Sequence, residues 1–235
     1  GTPPDPATAL RIAVGLDDLL MRLREETFPH LKAGGAELKF FAAPYGRGKT
    51  HLLRTIEESA RADGFATAYI DCGGRRPPFI SLQDTYRAIA KSMKPASQVS
   101  GGRGAKTGPG AVIAGGPLPL GEVVRRLRRS SFLAHDFRNV AVALARRESA
   151  PVDGGDEVFG QLKSLLLATQ TVRISVPALY SLDRDLPRPL GKLVKRNAGI
   201  WLRSLCALPH AVGYPGLVVL FDETERTSTL GRIPR

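Results

Sequence analysis

The segment APYGRGKT at residues 43–50 constrains the fold of this chain more than any other part of the sequence. Residues 37–42 before it (ELKFFA) have the short, apolar pattern of a strand, and the apolar residues that follow Lys49 recur at helical spacing. A strand, a glycine-rich turn and a helix in this order predict a β-loop-α unit. Because the helix of such a unit packs on a sheet, the chain is expected to have an α/β fold.

Strand and helix patterns continue to alternate after this unit. Residues 65–71 (FATAYID) predict a second strand, and a helix is expected from about Ser81 to Met93. Strands joined by helices predict a parallel sheet, because a parallel neighbour needs a crossover connection. The later apolar run LVVLF at 217–221 predicts another buried strand.

The patterns divide the chain into four segments. These are residues 1–94 as the first part of an α/β core with the glycine-rich loop, 95–121 as a flexible loop rich in glycine and proline, 122–208 as a long helical insertion, and 209–235 as the last strand and a truncated end of the core. A length of 235 residues suits one large α/β unit with an insertion.

Composition excludes several classes of protein. With 43% hydrophobic and 24% charged residues the chain is neither disordered nor fibrous. No run approaches the ~20 apolar residues that span a bilayer, and the N-terminus does not resemble a secretory signal. Two cysteines are too few for a disulfide framework. Together these features predict a cytoplasmic protein with no membrane partner.

The residue types of the glycine-rich loop suit the binding of a nucleotide's phosphates. Its glycines let backbone N–H groups turn towards the phosphates, and Lys49 brings a positive charge to the β and γ oxygens. The Thr50 hydroxyl can ligate Mg²⁺. Ala43 departs from the motif (Walker A), which has its first glycine there. The residues expected to bind the nucleotide are Ala43, Pro44, Tyr45, Gly46, Arg47, Gly48, Lys49, Thr50 and His51.

Two acidic residues follow the last predicted strand, in the pattern of a Walker B strand. Ligands bind parallel sheets at the carboxyl ends of the strands, so Asp222 and Glu223 are expected to face the phosphate loop. We expect Asp222 to hold Mg²⁺ together with Thr50, and Glu223 to polarise the water that attacks the γ-phosphate. The expected catalytic residues are therefore Glu223 and Lys49.

With these motifs, the chain resembles the BREX-system ATP-binding domain family, which are AAA+-like P-loop ATPases of bacterial phage-exclusion systems. The stretches that carry the resemblance are APYGRGKTHLLR (43–54), FATAYIDC (65–72), DRDLPRPLGKLVKRNAGIWLRSL (183–205) and HAVGYPGLVVLFDETER (210–226). The resemblance runs from about Val14 to Arg226. Val14 and Gly15 are similar to a segment that lines the adenine site in such ATPases, although Leu16 stands where arginine is usual.

The resemblance implies ATP binding with Mg²⁺, ATP hydrolysis and action within a DNA-associated defence complex whose other subunits are partners. A sensor strand and arginine fingers, which such ATPases use, are not recognisable after Glu223. We therefore expect either a fragment of a longer protein, which we favour, or a chain that binds nucleotide without efficient turnover. A homo-oligomer is left open.

A net charge of +12 suits contact with polyanions such as nucleic acid. Arg125, Arg126, Arg128 and Arg129 cluster on a predicted helix, where they either contact DNA phosphates or form a solvated face. The main alternative function is a non-enzymatic nucleic-acid-binding or assembly module with a degenerate nucleotide site. A small-molecule kinase is a third option. A measurement of ATP turnover distinguishes the ATPase from the non-enzymatic module.

Overall fold

The computed structural model describes residues 16–42, 44, 46–74, 77–96, 107–149, 156–169 and 175–224. Its α-helices are α1 (Asp17–Arg22), α2 (Phe28–Lys32), α3 (Lys49–Ala62), α4 (Leu82–Ser92), α5 (Pro109–Ala114), α6 (Leu120–Arg129), α7 (His135–Ser149), α8 (Asp156–Leu167), α9 (Val176–Leu182) and α10 (Ala198–Ala211). A π-helical segment, Leu23–Thr27, joins α1 to α2, and 3-10 helices at Pro78–Ile80 and Lys195–Asn197 precede α4 and α10. None of these helices is long and apolar enough to cross a membrane.

A small sheet lies among the helices. Its strands are β1 (Ala66–Asp71), β2 (Met93–Lys94) and β3 (Leu217–Asp222), in the order β2-β1-β3. β1 and β3 are parallel, with Asp71 opposite Asp222, whereas β2 pairs with β1 in the antiparallel direction. The α/β class is confirmed, and the sheet in the described residues is mixed rather than parallel. β2 follows α4 directly, with no connecting residues. The chain therefore does not turn back after the helix, as it must in a crossover to a parallel strand.

The strand predicted at residues 37–42 is not formed. Residues 35–42 have no regular secondary structure, and none of the three strands pairs with them. Leu38 and Phe40 are 77% and 85% exposed. An apolar pattern produces a strand only where a neighbouring strand can satisfy its backbone, and none of the three strands does so here. The assignment to an AAA+-like P-loop fold therefore stays a prediction.

The two faces of the sheet are covered by different sets of helices. Along β1, Ala66, Ala68 and Ile70 belong to the larger core, which includes residues of α4 to α10. Tyr69 faces the smaller core, formed with α3 and the helical segment that begins at α1. Side chains alternate between the faces because the period of a strand is two. The same alternation in β3 puts Leu220 and Asp222 on the face that α3 covers.

Part of the predicted flexible loop is helical. α5 lies within residues 95–121, and its Val112 and Ile113 are fully buried against the larger core. These two side chains are enough to anchor a short helix in a glycine-rich sequence, so the prediction of a loop is wrong there. Residues 97–106 lie outside the described part of the chain. The division of the chain into four segments otherwise stays a prediction.

The predicted helical insertion, residues 122–208, includes α7 to α9 and most of α6 and α10, and it shares one core with β1. Trp201 of α10, which is fully buried, packs edge-on against Phe137 of α7 with 5.3 Å between ring centroids. Its ring nitrogen donates to Asp136 Oδ2 at 3.1 Å, and Tyr86 of α4 lies at 5.8 Å. The sequence pattern at Trp201 favours a core residue over a platform for stacking bases, and this position in the core is confirmed.

Candidate functional site

The glycine-rich loop turns sharply before α3. Gly46 and Gly48 have φ angles of 78° and 82°, in the left-handed region that glycine adopts at little cost. A Cβ added at either position would meet nothing within 4 Å, so conformation rather than crowding requires glycine there. The backbone N–H of Arg47 donates to the Pro44 carbonyl at 3.3 Å, which closes the turn. Of the predicted nucleotide-binding residues, Val14, Gly15, Ala43 and Tyr45 lie outside the described residues.

Lys49, Thr50 and His51 form the first turn of α3. The N-terminus of a helix favours an anion, because its backbone N–H groups point towards the ligand and the helix dipole is positive there. The Lys49 ammonium donates to the Pro44 carbonyl at 3.3 Å, so the lysine lies over its own loop. The hydroxyl of Thr50 points instead towards the sheet.

The structure brings Thr50 together with Asp222, which is 172 positions away in the sequence. The Thr50 hydroxyl donates to Asp222 Oδ2 at 2.7 Å. Asp222 is only 5% exposed, at the carboxyl end of β3. A buried carboxylate is stable only when its oxygens accept hydrogen bonds. Here the Tyr69 hydroxyl also donates to Oδ2, at 2.5 Å, and the backbone N–H of Glu223 donates to Oδ1 at 2.9 Å.

These hydrogen bonds keep Asp222 ionised. Burial by itself would raise the pKa of its carboxyl, but the hydrogen bonds from Thr50, Tyr69 and the Glu223 backbone outweigh burial. The pKa of Asp222 is therefore lower than its ordinary value. An ionised carboxylate beside a hydroxyl matches the ligands that Mg²⁺ prefers, since Mg²⁺ is usually held by one or two carboxylates together with substrate phosphates and water. In the described residues, no group of three His, Cys, Asp or Glu side chains offers a metal site.

Glu223 has an unusual backbone. Its φ angle is 53°, a left-handed conformation that is strained for a residue other than glycine and is often found at functional sites. This conformation brings its carboxylate to Gly73, just beyond β1. A Cβ added at Gly73 would overlap Oε2 of Glu223, so the absence of a side chain at Gly73 leaves room for the carboxylate.

Sequence reasoning missed two members of this site, Tyr69 and Gly73. The alternation of FATAYID could have placed Tyr69 on the same face as Asp71, but nothing in the sequence pairs β1 with β3 in a particular register. The contact of Tyr69 with Asp222 follows from that register, in which Tyr69 lies opposite Leu220.

A broad groove of about 1510 Å³ connects this site with α6. Lys49, Asp222 and Glu223 line one part of it, and Arg126 and Phe132 line another. On α6, Arg125, Arg126, Arg128 and Arg129 are all exposed, as the sequence predicts, while Val123 and Leu127 are buried. Glu122 pairs with both Arg125 and Arg126, with 3.2 Å between its Oε1 and Arg126 Nε, and so reduces the positive charge of that face.

Residues 5–105 match the family model of the BREX system ATP-binding protein BrxC/D. The match confirms the family resemblance inferred from the motifs over these residues, which are less than half of the chain. No curated protein and no solved structure matches the chain.

The BrxC/D match includes the glycine-rich loop, α3, β1 and α4. It ends before β3, so Asp222 and Glu223 are tied to the matched region by the geometry alone, through Thr50, Tyr69 and Gly73.

Proposed function

We propose that the chain binds Mg·ATP at the glycine-rich loop and hydrolyses it as the ATP-binding component of a bacterial phage-defence complex of the BREX type. The observation that carries the proposal is the 2.7 Å hydrogen bond between Thr50 and Asp222. This hydrogen bond joins a hydroxyl close to Gly46 and Gly48, whose backbone is left-handed, to an ionised carboxylate from a distant part of the chain. The BrxC/D match supports ATP as the nucleotide.

Each residue has a distinct role in this proposal. Lys49 and the N-terminus of α3 attract the phosphates, and Lys49 leaves the Pro44 carbonyl to contact them. Thr50 and Asp222 would hold Mg²⁺, which neutralises charge on the phosphates when it is bound. Val14 and Gly15 are proposed to lie beside the adenine, by resemblance alone.

Glu223 is proposed as the residue that orients the attacking water. Its backbone is left-handed, and its carboxylate lies beside Gly73. The two adjacent acids thus have different environments, because Asp222 lies between Thr50 and Tyr69 and Glu223 lies beside Gly73. Such a difference suits one acid for the metal and the other for water.

The glycine-rich loop is tested by Lys49→Ala. A hydrogen bond from a charged donor contributes about 1.5–3 kcal/mol of binding free energy, so its loss should lower the affinity for Mg·ATP roughly 10- to 100-fold. Calorimetric titration measures this affinity. Lys91→Ala is the matched control, because Lys91 is an exposed lysine on α4. Equal affinities in the parent chain and in Lys49→Ala would refute the phosphate site.

The alternative, a nucleic-acid-binding or assembly module without turnover, draws support from the exposed arginines of α6. In both proposals DNA is a partner, together with other subunits of the defence complex. The two differ in whether ATP is consumed. Release of inorganic phosphate that depends on Glu223 supports the ATPase, and DNA binding without any phosphate release supports the alternative.

A further inference from the structure

Tyr69 lies at the centre of a chain of polar contacts that extends beyond the proposed metal ligands. Its hydroxyl donates to Asp222 Oδ2, the same oxygen that accepts from Thr50. On the other side, the Arg54 guanidinium stacks on the Tyr69 ring, with its central carbon 3.4 Å from the ring centroid. Tyr69 therefore has a partner at both its hydroxyl and its ring.

Arg54 is itself fixed in place. Its Nη1 lies 3.0 Å from Oε2 of Glu57, whose side chain is fully buried. Lys94 of β2 holds the other oxygen of Glu57 at 2.8 Å. Separation of a buried carboxylate from a cationic partner is strongly destabilising, so the pair with Glu57 restrains Arg54. Arg54 lies four residues after Thr50 on α3, so both residues project from the same side of the helix.

The shared oxygen of Asp222 gives Tyr69 a particular task. When the Thr50 hydroxyl turns towards a metal ion, it no longer donates to Oδ2. The Tyr69 hydroxyl is then the remaining side-chain donor that the described contacts give to this carboxylate.

We propose that Tyr69 is a positioning residue that holds the Asp222 carboxylate in the orientation needed to bind Mg²⁺, and that Arg54 holds Tyr69 for this task. The inference rests on the proposed function, because it assigns Tyr69 to the metal site of the nucleotide-binding loop. It adds a residue from β1 to a site otherwise built from α3 and β3.

The test compares Tyr69→Phe with the parent chain in calorimetric titrations with ATP, once with Mg²⁺ and once with EDTA. Removal of the hydroxyl should weaken ATP binding about tenfold in Mg²⁺, the lower end of the effect of residues that orient metal ligands. In EDTA the affinity should not change, because the phosphate contacts of the loop are intact. A purely structural defect would lower both affinities.

Two further variants separate positioning from structure. Tyr86→Phe also removes one hydroxyl with a single acceptor, since Tyr86 donates to the Leu166 carbonyl at 2.6 Å, but it lies in the larger core. Its ATP binding should keep the full Mg²⁺ dependence. In a background of Asp222→Asn, Tyr69→Phe should have no additional effect, because the group through which it acts has been changed.

The outcomes distinguish the two proposals. If the parent chain binds ATP equally well in Mg²⁺ and in EDTA, the proposed metal site is wrong and the role of Tyr69 is wrong with it. If the parent depends on Mg²⁺ and Tyr69→Phe depends on it equally, the metal site stands and the role of Tyr69 alone is overturned. An additive effect of Tyr69→Phe in the Asp222→Asn background would also overturn it.

Discussion

At the scale of single residues, two neighbouring glycines of the proposed site differ in the space around them. Gly73 and Gly74 follow one another after β1, yet only the first borders the carboxylate that is proposed to orient water. A Cβ at Gly73 would overlap the Glu223 carboxylate, whereas a Cβ at Gly74 would meet nothing within 4 Å. Neither glycine has the positive φ that would itself exclude alanine. The pair therefore tests the effect of space beside Glu223, which a Cβ at Gly73 would approach more closely than it would Asp71 Oδ1, at 3.1 Å.

Gly73→Ala should slow ATP hydrolysis about a hundredfold, because a displacement of about 1 Å in a reacting group has an effect of this size. Glu223→Gln should slow it at least as much, while both variants keep ATP bound. The free energy of unfolding in urea should change by less than about 0.5 kcal/mol in Gly73→Ala, since the overlapping atom is at the far end of a flexible side chain.

Gly74→Ala is the control and should hydrolyse ATP at the parent rate. Phosphate release is measured for all four proteins at saturating Mg·ATP. A Gly73→Ala variant as fast as the parent would show that the position of the Glu223 carboxylate does not limit turnover.

At the scale of elements, α6 carries the basic surface. Its buried side, Val123 and Leu127, anchors the helix in the larger core, and its arginines are left in solvent. Helical periodicity alone predicts this division, and the structure agrees with it. If the exposed side binds a phosphate backbone, binding releases counterions and the affinity depends on salt concentration.

Replacement of Arg125, Arg126, Arg128 and Arg129 by glutamine should flatten the salt dependence of DNA affinity. Each lost phosphate contact changes the slope of log affinity against log salt by about 0.9. The decrease in affinity should be the same for all sequences, because phosphate contacts carry no base information. Fluorescence anisotropy with labelled duplexes at several salt concentrations measures both quantities.

The matched control replaces four exposed basic residues elsewhere, Lys91, Lys192, Lys195 and Arg196, by glutamine. It removes the same net charge from other parts of the surface. If both fourfold variants flatten the slope equally, the attraction is a general effect of net charge and α6 is not a binding site.

The elements also show where sequence reasoning succeeds and where it stops. Strands β1 and β3 could be predicted because their apolar runs are bounded by turns and acids. Residues 37–42 have an equally apolar pattern, yet they form no strand, because pairing depends on a neighbour that a local pattern cannot specify. At α5 the reverse holds, because a helix forms where the sequence predicts a flexible loop. There the burial of Val112 and Ile113 outweighs the surrounding glycine and proline residues.

At the scale of the whole molecule, the proposed site joins distant parts of the chain. The phosphate loop and the acids could be predicted separately from their residue types. Their contact through Thr50 and Asp222, and the participation of Tyr69, depend on the register of two parallel strands whose paired residues are 151 positions apart. No local pattern contains that register. The sheet also separates this site, on the α3 face, from the larger helical core on the other face.

That separation has a spectroscopic consequence. Trp201 is the single tryptophan of the chain and is fully buried in the larger core, with Phe137 and Tyr86 against its ring. Its fluorescence should therefore have the short-wavelength maximum of an indole shielded from water, with weak quenching by acrylamide. Addition of Mg·ATP should leave the emission unchanged, and urea should shift it to longer wavelength as the core opens. A change in emission on addition of ATP to the folded chain would mean that binding at the proposed nucleotide site alters the surroundings of Trp201 in the larger core.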